Sequence, residues 1–152
     1  MPTFTLNFSR PGNQVIGQYY NFLSLGHSGY TRVMSSLREC ATWLSGEIEK
    51  IGPFELLSDG SAVPAFAFRV VQDTPFTVFE VSDALRARGW QVPAYSMPDN
   101  VTDVSVLRVV VRDGFNLDLA RILFDDLVKV VKKLEARAPG SAQDDSGGQF
   151  AH

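Results

Sequence analysis

An α+β fold is what this sequence of 152 residues predicts, on three observations. Runs of strand-forming residues at Phe54–Leu57, Ala65–Val71 and Val104–Arg112 are short and bounded by turn residues. Two longer segments, about 30–51 and 117–134, repeat apolar residues at steps of three and four, the mark of a helix with one buried stripe. Gly52-Pro53 divides a helical first part from a strand-rich second part, since glycine caps a helix easily and proline cannot continue one.

Thr3-Phe4-Thr5-Leu6-Asn7-Phe8 alternates polar with apolar residues and reads as a strand, stopped by the turn cluster Ser9-Arg10-Pro11-Gly12-Asn13. A helix over 15–25 follows, interrupted at Leu25-Gly26-His27-Ser28-Gly29. The next helix, from Tyr30 to Ile51, has the stripe Val33, Leu37, Cys40, Ala41, Leu44, Ile48 and Ile51. Beyond the strand at Phe54 and the turn Asp59-Gly60-Ser61 comes the strand at Ala65. Thr77, with Glu80 three residues on, forms a capping box that opens a helix to Arg88, stopped by Gly89. Trp90 to Tyr95 and Val104 to Arg112 read as strands. Asn116 caps a final helix with the stripe Leu119, Ile122, Leu123, Leu127, Val130, Val131 and Leu134. Segment 53–138 is thus a small α+β domain, and 139–152 a polar, flexible tail. Segment 1–52 has one strand and no sheet of its own, which hints at missing upstream partners, because a lone buried strand leaves its backbone unpaired.

Hydrophobic residues make up 45% and charged residues 20%, ordinary for a soluble domain, and the formal net charge is −3. That balance argues against a nucleic-acid or anionic-membrane surface, which needs clustered Lys and Arg. A single cysteine, Cys40, excludes an internal disulfide, and His27 and His152 are too few for a His-rich metal site. No apolar run reaches the roughly 18 residues of a membrane span, and the first residues lack a signal-peptide pattern. A reduced, cytoplasmic setting is the expectation.

Arg108 is the most informative side chain. It interrupts an apolar run in which Leu107, Val109 and Val111 share one face and Val106, Arg108 and Val110 the other. The first face suits the core, so Arg108 points away from it. A guanidinium there can grip a carboxylate through two parallel hydrogen bonds. From the residues alone, a structural ion pair on a half-covered sheet is the simpler account. On the same footing Ser9 belongs to an ordinary turn, His27 is a surface residue, Cys40 fills core space, Trp43 and Trp90 pack, and His152 is an unstructured terminus.

Four stretches carry a resemblance that changes these readings: Leu6-Asn7-Phe8-Ser9-Arg10-Pro11-Gly12, Gln14 to Tyr20, Arg88-Gly89-Trp90-Gln91-Val92-Pro93-Ala94, and Leu107-Arg108 through Arg112-Asp113-Gly114-Phe115. Together they resemble the C-terminal part of the bacterial glutamate decarboxylases, pyridoxal-phosphate enzymes of the aspartate-aminotransferase-like fold (fold type I), over the whole chain. The resemblance implies that 1–52 ends the large cofactor-binding domain and that 53–138 is the small C-terminal domain, an antiparallel sheet with flanking helices. It implies pyridoxal 5'-phosphate as cofactor, L-glutamate as substrate, 4-aminobutyrate and carbon dioxide as products, and a homo-oligomer, a dimer at least with a hexamer open. By the same resemblance Arg108 binds the substrate carboxylate, Phe8 and Ser9 contact the cofactor phosphate of a partner subunit, and His152 is a regulatory residue that enters the site near neutral pH, where histidine changes charge.

One departure is large. The family's Schiff-base lysine follows a histidine, and here Lys50, Lys129, Lys132 and Lys133 all lie on predicted helices with no His-Lys pair. No catalytic residue is therefore assigned, and the chain by itself is expected to be inactive. The tail lacks the basic, tryptophan-containing segment of a calmodulin target. Two rival readings stand beside this one: a non-catalytic interaction or dimerisation module, and a decarboxylase of another amino acid.

Overall fold

The computed structural model describes residues 11–98 and 103–137, in which three helices and four strands form. The strand expected at 3–8 and the tail at 139–152 lie outside the described residues. The two helices expected on either side of Leu25–Gly29 are one run, α1 (Asn13–Glu49), broken only at Gly26, whose φ of 57° and ψ of −173° are non-helical. Glycine tolerates that backbone without a Cβ clash. The interruption is shorter than the expected loop because His27 is already helical, and its carbonyl accepts the Thr31 hydroxyl at 2.8 Å.

The chain divides into two units, Met1–Ser36 and Leu37–His152. In the first, α1 exposes Val15, Ile16, Tyr19, Tyr20 and Leu23, and Phe22 packs on Tyr30 with ring centroids 5.8 Å apart.

The second unit holds the sheet. Its strands are β1 (Phe54–Leu56), β2 (Ala65–Val70), β3 (Ala94–Ser96) and β4 (Ser105–Val110), all antiparallel in the order β1-β2-β4-β3. Between β2 and β3 runs α2 (Val78–Arg86), and α3 (Leu117–Glu135) follows β4. Both helices start at the expected caps. Thr77 accepts from the Glu80 N–H while the Glu80 carboxylate accepts from the Thr77 N–H, and the Asn116 side chain accepts from the Leu119 N–H. These bonds satisfy donors that a helix N-terminus otherwise leaves without partners.

Side-chain alternation gives the sheet a dry face. Phe54, Phe66, Phe68, Leu107 and Val109 point into one core with Cys40, Ala41, Leu44 and Ile48 of α1, Val78, Val81 and Leu85 of α2, and the buried side of α3. The core therefore reaches back beyond residue 53 to Leu37 and the C-terminal part of α1. Phe54 meets Phe68 edge-on at 5.1 Å, and burying each such aromatic or leucine contributes roughly 1.5–3 kcal/mol. Ala120 is buried on α3, whereas Ile122, expected in the stripe, is exposed. The buried arc of α3 runs through Ala120, Leu123, Leu127, Val130, Val131 and Leu134, and Ile122 lies roughly 130° from the centre of that arc.

The strand expected from Trp90 begins only at Ala94. Gly89, at φ 91°, closes α2: its N–H donates to the Arg86 carbonyl and the Trp90 N–H to the Leu85 carbonyl. The Val92 carbonyl accepts the buried Ser82 hydroxyl at 2.6 Å. Backbone groups that a strand needs for its ladder are thereby spent on closing the helix.

Candidate functional site

Arg108 sits in the middle of β4, directly opposite Ala67 of β2. Its neighbours Leu107 and Val109 are buried in the core, while Arg108 and Val110 are exposed on the other face. The alternation expected from the sequence holds from Leu107 to Val110, whereas Val106, on the Arg108 side, is buried as well. The backbone is pinned on both sides. The Arg108 N–H donates to the Pro93 carbonyl at 3.1 Å, and Ala67 bonds to the segment after β1, its carbonyl accepting from the Leu57 N–H at 2.8 Å and its N–H donating to the Ser58 hydroxyl at 3.0 Å.

The face around Arg108 is built of small and apolar side chains. Ala65 stands opposite Val110, Ala67 opposite Arg108, and Tyr95 opposite Val106. Ion pairs among the described residues engage Arg69, Arg86, Arg88, Arg121 and Arg137, and leave Arg108 without a carboxylate. Farther along the same face Arg69 is held by both Nε and Nη2 on a single Glu55 oxygen, at 2.9 and 2.7 Å. The structural ion pair that the sequence first offered for Arg108 is thus found at Arg69 instead. Beside Arg108 stands a ring: the guanidinium carbon lies 5.6 Å from the Tyr95 centroid. A cation with free N–H edges on an exposed face can take an anionic ligand in two parallel hydrogen bonds.

Nothing in the sequence pointed to Tyr95, because its nearness to Arg108 follows from the register of β3 on β4, and a register is a property of two strands together. Phe8, Ser9 and His152 lie outside the described residues. His27 is exposed on α1, and Cys40 is buried in the core, where burial pushes its thiol pKa up.

The lysines do not form a site. Lys50 is exposed and paired with Glu47 at 2.6 Å, Lys129 pairs with Asp126 at 3.5 Å, and Lys132 and Lys133 are exposed in the last turn of α3. A group bound through a lysine in an enclosed pocket finds no such lysine here. A pocket of about 580 Å3 opens beside the end of β4, lined by Trp90, Gln91, Val110, Arg112, Asp113 and Phe115 among others, and Arg108 is not part of it. Among the described residues no cluster of His, Cys, Asp and Glu is arranged to hold a metal ion, and no helix is long and apolar enough to cross a membrane.

No protein-family model matches the chain. Whole proteins do. A glutamate decarboxylase of Aliivibrio fischeri is 46% identical over 135 residues, which is 87% of this chain and 29% of that protein. Glutamate decarboxylase 1 of Arabidopsis thaliana is 46% identical over 134 residues, 88% of this chain and 27% of the relative. Among solved structures, glutamate decarboxylase of Lactobacillus brevis superposes with a TM-score of 0.83 at 36% identity, covering 91% of this chain and 32% of that one. Sphingosine-1-phosphate lyase of Burkholderia pseudomallei, 23% identical with a TM-score of 0.65, shares the fold over 86% of this chain. The chain spans about three-tenths of the length of the curated relatives it matches. In sequence and in fold, this chain is similar to part of the glutamate decarboxylases, somewhat less than a third of their length.

Proposed function

We propose that this chain is the C-terminal, substrate-gripping portion of a pyridoxal-phosphate-dependent glutamate decarboxylase, a lyase that converts L-glutamate to 4-aminobutyrate and carbon dioxide. The observation that carries the proposal is Arg108, a cation without a carboxylate partner among the described residues, on the sheet face turned away from the core. Arg108 binds the α-carboxylate of the substrate and so fixes which bond faces the reacting centre. The guanidinium does this by geometry as well as charge, because two parallel hydrogen bonds set the plane of the carboxylate.

The described residues do not fit pyridoxal phosphate as its seat, since their lysines are exposed on helices and tied to, or beside, surface ion pairs. The cofactor supplies the sink for the electrons of the broken bond when bound, and no step through it is assigned to this chain. Binding and orientation are its part, and alone it is inactive. Phe8 and Ser9 as phosphate contacts in a partner subunit, His152 as a regulatory residue and a cytoplasmic homo-oligomer complete the reading. The exposed apolar side chains of α1, Val15, Ile16, Tyr19, Tyr20 and Leu23, support assembly with further protein surface.

The test is made on the full-length protein that carries this chain, purified with pyridoxal phosphate and given L-glutamate. Formation of 4-aminobutyrate is expected, and Arg108→Ala lowers kcat/KM about a hundredfold, as loss of one partner of a desolvated charge pair does. No 4-aminobutyrate from the wild type, or an Arg108→Ala variant as active as the wild type, would sink the proposal.

A further inference from the structure

We infer that Tyr95 is a positioning residue for Arg108, holding the guanidinium against its ring so that the N–H edges stay free for a carboxylate; this rests on the reading of Arg108 given above. Tyr95 lies opposite Val106 and is therefore diagonal to Arg108 on the face away from the core. Diagonal positions on neighbouring strands are bridged only by aromatic or long side chains, and this pair has one of each. The guanidinium carbon is 5.6 Å from the ring centroid, within the range where the ring quadrupole attracts a cation. Aromatic faces attract through the ring, whereas bidentate hydrogen bonds leave a guanidinium in its own plane, so the two contacts do not compete.

Three further features favour this role. Ala67, directly opposite Arg108, leaves space that a larger residue would fill. The Arg108 backbone is tied to the Pro93 carbonyl, two residues before Tyr95 on the same segment, so the base of the side chain and the ring move together. The Tyr95 hydroxyl makes no hydrogen bond to the other described residues, which leaves the ring as the working part. An arginine loses much rotamer freedom on gripping a ligand, and an arginine already resting on a ring has less to lose.

The experiment uses the full-length protein carrying this chain, loaded with pyridoxal phosphate. Tyr95→Leu is expected to raise KM for L-glutamate about tenfold with kcat little changed, and Tyr95→Phe to recover most of that loss. Arg108→Gln is made alone and combined with Tyr95→Leu, and in the Arg108→Gln background Tyr95→Leu costs nothing more, because its partner is gone. If Arg108→Gln leaves kcat/KM unchanged, the reading of Arg108 fails and this inference with it. If Arg108→Gln is impaired while Tyr95→Leu behaves as wild type, or costs the same factor in both backgrounds, the positioning role alone is overturned. A second measurement covers poor folding of a variant in the large protein: in the 152-residue chain the Arg108 Nε–Hε resonance is displaced by the ring in wild type and Tyr95→Phe. It returns toward its free position in Tyr95→Leu, and an unmoved resonance also overturns the inference.

Discussion

The indole N–H of Trp90 donates to one oxygen of the Asp126 carboxylate at 3.0 Å, and Arg88 donates to the other at 2.9 Å, so the segment closing α2 is fastened to α3 through a single side chain. The Trp90 hydrogen bond first, then the charges of Arg88 and Lys129, hold the Asp126 carboxyl below its usual pKa. A carboxylate whose pKa is lowered by folding stabilises the fold above its unfolded pKa, and the contribution is lost as pH falls through the lowered folded value. Urea unfolding of wild type and Asp126→Asn, compared from pH 7 downward, should show a gap that is widest at neutral pH and closes in acid. A gap independent of pH would show that Asp126 acts through shape alone.

The caps of α2 and α3 should be separately measurable. Thr77→Ala and Asn116→Ala each remove a side-chain acceptor and are expected to cost about 1 kcal/mol, as N-cap losses do. Thr77→Ser, which keeps the hydroxyl, should cost less than half of that. Equilibrium denaturation of the three variants decides it.

Gly60 has φ 83°, and a Cβ built there would stand 2.9 Å from the Ala41 Cβ. Gly60→Ala therefore meets both a disfavoured backbone region and a helix side chain that cannot yield, for a cost of about 1–3 kcal/mol. Trimming the neighbour in Gly60→Ala/Ala41→Gly should relieve the contact and leave only the backbone part. A thermal midpoint for Gly60→Ala equal to wild type would contradict the packing described here.

The two faces of β4 predict opposite outcomes for neighbouring substitutions. Leu107→Ala empties space in the core and should cost about 2–5 kcal/mol, whereas Val110→Ala, on the exposed face, should stay within about 0.5 kcal/mol in the isolated chain. In the full-length protein, the proposed placement of that face against the rest of the enzyme predicts a larger cost for Val110→Ala. Chemical denaturation of both variants in both forms makes the comparison.

Amide exchange should separate the two parts of α1. From Leu37 on, α1 places Cys40, Ala41, Leu44 and Ile48 in the core, while Val15, Ile16, Tyr19 and Tyr20 are exposed. Helical stability comes largely from such packing, so in the isolated chain amides near residue 20 should exchange at least about a hundredfold faster than those near residue 44. Equal protection along the helix would rule this out.

What could be read from the sequence was whatever depends on a few adjacent residues. Thr77 with Glu80 and Asn116 announce helix starts locally, and Gly26 and Gly89 announce breaks, so α2, α3 and the kink in α1 were legible. Arg108 was legible because a charge inside an apolar run needs an open face. Ile122 was misplaced because apolar character does not by itself say which arc of a helix meets the core, and Ala120, small and unremarked, holds that place. Trp90–Pro93 looked like strand because its residues suit one, yet its backbone partners are Leu85, Ser82 and Arg108, none of them near in sequence to all of it. Tyr95 escaped for the same reason: its partner is set by strand register.

That register has an evolutionary corollary. The alternation that buries Leu107 and Val109 is the same one that presents Arg108. A one-residue insertion or deletion in β4 would exchange charge for core, so the packed face and the exposed cation would be lost in one event. A two-residue change preserves which side chains are inside and slides the cation by roughly 6.8 Å along the strand. Lineages that reshape this exposed face through β4 can therefore do so only in steps of two, and a relative whose arginine is displaced by an odd number of positions must have changed the opposite strands as well.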